Sequence, residues 1–157
     1  MSTTPFSQNM NPKDPRPLIP ALGRYYGFTS DFAYLIVRVT AGLMLLPHGW
    51  PKVLNPGGAL GYFTKLGLEP SWLFTSVAMF NENLGGILIA IGLFTRPIAA
   101  LLIIEFLVLM FKVHVARGYG VAVNGIELPL MWLMLFIAIL LRGGGPWSVD
   151  RRLGREI

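Results

Sequence analysis

From residue 32 onward the chain alternates long apolar runs with short polar breaks. Apolar residues dominate 32–50, 72–94, 98–115 and 126–141, with only isolated polar positions inside them. Each run comes near the ~20 residues that a helix needs to cross a bilayer. The pattern predicts an all-α fold, an integral membrane four-helix bundle. Between the first two runs, "PKVLNPGGALGYFTKLGLEPS" is too polar and glycine-rich to span. Its "ALGYFTKLGL" portion reads as a short helix lying in the interface or dipping into it. "RGYGVAVNG", before the fourth run, reads as a turn or short hairpin.

The ends differ in kind. Residues 1–30 are proline-rich and polar, without an apolar stretch of signal-peptide length, and are expected to form a flexible arm. Residues 31–142 hold the four expected spans. Residues 143–157 carry three arginines near the end and are expected to form a basic tail.

Composition supports this division. Hydrophobic residues make up 54% of the 157 and charged residues only 13%, against about 25% charged in an ordinary soluble domain. The net charge of +5 is spread between and beyond the apolar runs, not gathered on one stripe, which argues against a nucleic-acid partner. Positive residues mark the cytoplasmic side of a membrane protein. Lys13, Arg16, Arg24, Arg96, Arg142, Arg151, Arg152 and Arg155 fall on one side of the expected topology, while Lys52, Lys65, Lys112 and Arg117 fall on the other. This asymmetry predicts a multi-pass membrane protein with both termini in the cytoplasm. There is no cysteine, so the chain offers no thiolate for disulfides, iron–sulfur clusters or cysteine-ligated zinc.

Two sets of polar residues stand out. Arg38, Glu82 and Glu105 lie inside apolar runs. Intramembrane charges are rare, face the bundle interior and usually pair, so Arg38 is expected to pair with one or both acids in a buried ionic network. That network would either handle protons or lock the helices. The second set gathers at the opposite ends of the runs: His48, Lys52, His114, Asn124 and Glu127. Two imidazoles and a carboxylate at one level suit a metal, a haem iron or the head group of a quinone. Imidazoles bonded to loop backbone are the commoner arrangement, so no metal is expected, and the set is read as a candidate small-molecule site. Gly42, Gly85, Gly86 and Ala90 would let helices approach closely. Pro47 and Pro51 should kink or end the first helix around His48.

The order "RVTAGLMLLPHGWPKV", "ENLGGILIAIGLFTRPIAAL", a histidine closing the third run, "IELPLMWLMLFIAIL" and "GGGPWSVDRRLG" resembles the DoxX family of small bacterial membrane proteins. The resemblance covers about residues 31–154. It carries onto Arg38, His48, Gly49 and Lys52, onto Glu82, Gly85, Gly86, Gly92, Thr95 and Arg96, and onto His114, Glu127, Gly145, Ser148 and Asp150. Pro47, Pro51 and Glu105 depart from it.

What the resemblance implies is an accessory membrane subunit of a redox or respiratory complex, binding quinone or anchoring a redox partner. Such a subunit would belong to a quinone-linked oxidoreductase without being catalytic alone. No tightly bound cofactor is expected, quinone is the candidate ligand, and a homo-oligomer is compatible with this reading. The alternatives are a structural scaffold in a larger membrane assembly and a small proton-linked transporter.

Overall fold

The structure, a computed structural model, describes Ile19 and residues 22–154. The described residues are helical, without strands. Helix α1 (Leu22–Leu43) leads through a two-residue turn into α2 (Leu46–Leu54). Pro47 supplies the break: with no N–H, and with its ring set against the carbonyl four residues back, it cannot continue α1, and it sits instead in the first turn of α2. Helices α3 (Pro56–Lys65) and α4 (Ser71–Phe80) follow. A π-helical turn, Asn81–Gly85, joins α4 to α5 (Gly86–Ile91). Helix α6 (Thr95–Leu109) runs into a second π turn, Met110–His114. The chain then makes short 3-10 turns before α7 (Glu127–Arg142) and α8 (Val149–Arg152).

Among the described residues, three helical stretches are long and apolar enough to cross a membrane: Thr29–Leu54, which includes the turn between α1 and α2, Ser71–Ile91 and Thr95–Arg117. The fourth expected span is the 16-residue α7, ~24 Å long at the standard rise and shorter than the ~30 Å hydrocarbon layer. Helix α1 starts within the stretch expected to be an arm, while residues 1–18, 20 and 21 lie outside the described residues. The sequence "ALGYFTKLGL" is helical as far as Lys65. Residues 118–127 close a tight turn, in which Ile126 N–H donates to the Gly118 carbonyl and Glu127 N–H to that of Tyr119.

Helix α1 packs chiefly on α5, and α6 on α7. Small residues set the first contact. A Cβ on Gly86 would lie 2.6 Å from the Gly42 carbonyl oxygen, and one on Gly42 would lie 2.7 Å from the Ala90 amide nitrogen. Only glycine at both positions lets the two backbones touch. Gly85 instead faces α6, where Ile98 packs against it. Around these contacts Ala41, Leu45, Ile89, Ala99, Leu102 and Phe136 form the buried core.

The segment expected as a basic tail is folded back on the bundle as far as it is described. Gly143, Gly144, Ser148 and Asp150 are buried. The Asp150 carboxylate accepts from Phe94 N–H at 2.8 Å, Thr95 N–H at 3.0 Å and the Thr95 hydroxyl at 2.8 Å. It therefore caps the start of α6 from 55 residues away, satisfying N–H groups that no local side chain reaches. Ser148 caps α8 in the ordinary way, accepting from Arg151 N–H.

Gly42→Leu should destabilise the protein by about 3 kcal/mol, because backbone stands where the side chain would go. Gly61, which has open space around it on α3, is the control: Gly61→Ala should stabilise by about 0.5 kcal/mol. Thermal unfolding in mild detergent measures both.

Candidate functional site

Arg38 is 1% exposed, yet the ion pair expected between it and Glu82 or Glu105 does not form. Antiparallel packing of α1 on α5 sets Arg38 beside Ala90, eight residues or ~12 Å along the helix from Glu82. Its guanidinium donates to the carbonyls of Gly144, Ala90 (3.3 Å) and Trp147 (2.9 Å), with Asp150 near enough to contribute electrostatically. Arg38 thus holds the folded-back C-terminal segment. Gly92 allows it to do so. Its backbone is left-handed (φ +72°), and a side chain there would strike the Arg38 guanidinium and Ser148. Tyr34 completes the junction by donating its hydroxyl to the Gly143 carbonyl.

Glu82 pairs with Lys52 instead, Nζ to Oε2 at 2.5 Å, with 24% and 7% of the two side chains exposed. Lys52 Nζ also donates to the His48 carbonyl at 2.9 Å. Gly49 makes this approach feasible, since a Cβ on it would lie 2.8 Å from Glu82 Cβ. The π turn contributes too. π turns inside α-helices recur at functional positions, and this one buries Asn81 and Glu82 in succession. Glu82 meets α2, while the Asn81 side-chain amide donates to Glu105 Oε2 at 3.0 Å. Glu82 and Lys52 are both close enough to Glu105 to act on its charge. The other Glu105 oxygen is buried, and the Glu105 carboxyl stands within hydrogen-bonding reach of Glu82.

A cavity of about 360 Å³ opens at this pair. His48, Lys52 and Glu82 line one side and His114 and Asn124 the other. Four of the five residues expected to form a ligand site therefore meet around one volume, joined by a glutamate that had been expected in a separate network. Glu127 does not line it: exposed, it accepts from Val121 N–H at 3.0 Å and fixes the loop beside the cavity. His114 ends the second π turn, and its Nδ1 lies 2.7 Å from the Asn124 carbonyl oxygen. A carbonyl only accepts, so Nδ1 carries the hydrogen, and in the neutral ring Nε2 is left as an acceptor.

Phe106 and Trp132 form an aromatic wall of the cavity. Their ring centroids lie 5.8 Å apart, and the Phe136 ring packs against both, 5.5 Å from Phe106 and 5.6 Å from Trp132. Neither Phe106 nor Asn81 stands out in the apolar pattern of the sequence. The spacing of Trp132 and Phe136, four apart on one helix, is the signal that could have located the wall. No group of three or more metal-ligating side chains occurs among the described residues.

These features describe a helical membrane protein with an ion pair and two imidazoles around an aromatic-walled cavity. The family model DoxX matches residues 33–115. The chain belongs to the DoxX family. It is 31% identical over 139 residues to "Inner membrane protein YphA" of Escherichia coli (strain K12), covering 82% of this chain and 97% of that protein. It is 33% identical over 124 residues to an uncharacterized protein of Haemophilus influenzae, covering 76% and 90%. It is 27% identical over 120 residues to "Putative oxidoreductase CatD" of Bacillus subtilis (strain 168), covering 76% and 86%. No solved structure matches the chain.

Removing one partner of the Lys52–Glu82 pair should cost about 3 kcal/mol by leaving a buried charge uncompensated. Lys52→Met should show this loss, and Lys52→Met combined with Glu82→Leu should recover most of it. A double-mutant cycle on thermal unfolding reads the coupling.

Proposed function

We propose that the protein is an accessory membrane subunit of a redox assembly that binds the head group of a quinone in the cavity between α2, α6 and α7. In this reading it crosses the bacterial inner membrane four times, with both termini in the cytoplasm, as the distribution of Lys and Arg favours.

The observation that carries the reading is the convergence of His48, Lys52, Glu82, His114 and Asn124 on one aromatic-walled cavity. Its volume lies in the range of small-molecule sites, roughly 300–1,000 Å³. The residues fit a quinone ring. The Lys52 ammonium and a His48 ring N–H are donors for ring carbonyls, His114 Nε2 is an acceptor for a hydroxyl of the reduced ring, and Trp132 with Phe106 offers a flat apolar face to the ring.

Reducing a quinone takes two protons along with two electrons. The two histidines and the Lys52–Glu82 pair are groups that can give or accept a proton at heteroatoms facing the ligand. The electrons would come from a redox partner, an arrangement consistent with the oxidoreductase name of the Bacillus subtilis relative.

Binding of a short-chain benzoquinone should quench Trp132 in a protein whose Trp50, Trp72 and Trp147 are replaced by phenylalanine. His48→Ala should weaken that binding about tenfold, the worth of one hydrogen bond. Quenching that is absent, or indifferent to His48→Ala, would refute the ligand. The accessory role is tested separately. Purified from native membranes in mild detergent, the protein should carry a stoichiometric oxidoreductase identifiable by mass spectrometry, and a lone homo-oligomer would argue against the role.

A further inference from the structure

A second cavity, of about 230 Å³, lies between α4 and α6. Its mouth is lined by Val77, Leu101 and Ile104, side chains that are 40%, 40% and 59% exposed. These lie on helical stretches apolar enough to span a membrane, so the medium they face is hydrocarbon. Within the cleft Glu105 is the one charged residue, set among apolar side chains. The cleft and the histidine-lined cavity share two lining residues, Phe63 and Leu109, and so meet at these two side chains. Glu105 stands one helical turn before Leu109.

We infer that the cleft is the membrane-side half of the same ligand site, holding the apolar chain of a lipid-soluble quinone whose ring lies beyond Phe63 and Leu109. This rests on the head-group reading above. The occupant follows from the adjacency of the two cavities on either side of Phe63 and Leu109. A single molecule with a polar ring and a long apolar chain fills both, whereas a bulk acyl chain leaves the polar half unused. The protein would therefore take its ligand sideways from the bilayer and select membrane-soluble quinones over water-soluble ones.

Photoaffinity labelling tests this on the full chain in nanodiscs, using a benzoquinone with a ten-carbon chain and a diazirine at the chain terminus. Labelling should fall on peptides carrying Val77, Leu101 and Ile104, and excess short-chain benzoquinone should abolish it. Val77→Phe and Leu101→Phe, which narrow the mouth, should lose the label while quenching of Trp132 by the short-chain compound persists. Ile87→Phe, on the α5 surface outside the cleft, should keep it.

Labelling that is competed away but maps to other helix faces overturns the cleft and leaves the head-group site standing. So does labelling that survives both narrowing substitutions in proteins that fold. If the competitor neither quenches Trp132 nor displaces the label, both readings fall, and the cleft holds bulk lipid only.

Discussion

Everything in this structure hangs on the line along which α1 and α2 lie against the stretch from Glu82 to Gly92. The backbones touch at Gly42 and Gly86, and in a bilayer such contact must come from packing, since lipid is as apolar as the side chains it would replace. With that point fixed, the register on either side of it follows. Toward one end Arg38 comes level with Ala90, and toward the other Gly49 and Lys52 come level with Glu82. One steric constraint thus locates both polar features of the bundle.

The two features solve the cost of a buried charge differently. Arg38 is surrounded by carbonyl oxygens at helix and loop ends, with Asp150 in electrostatic range, and its neighbours are backbone groups that have no ligand-binding use. Lys52 and Glu82 neutralise each other at the wall of a cavity, where a ligand can compete for either one. A buried ion pair is weak support for stability and a costly thing to break. It stands beside an aromatic wall and two imidazoles, on a cavity that the Arg38 side chain does not line.

The helices were legible in the sequence because apolar runs of spanning length admit few other structures. The family was legible too, since the motifs around His48, Glu82 and His114 stand in order. The ionic network was misread for a specific reason. Depth along a helix places Arg38, Glu82 and Glu105 within reach of one another, but helix direction and rotation decide which groups face. Those depend on the Gly42–Gly86 contact and on the π turn at Asn81–Gly85, and neither has a sequence period. The clasp was invisible for a similar reason: Asp150 caps α6 across 55 residues, and capping rules look only a few positions away.

That clasp has a consequence for how the molecule is made. The N–H groups opening α6 receive their carboxylate only from a residue near the end of the chain, and the carbonyls that hold Arg38 include two beyond α7. During synthesis, every helix from α1 to α7 must leave the ribosome before either demand is met. The bundle is therefore closed last by a dozen or so residues, and a chain released before Asp150 would sit in the bilayer with its helices formed and its latch unfastened.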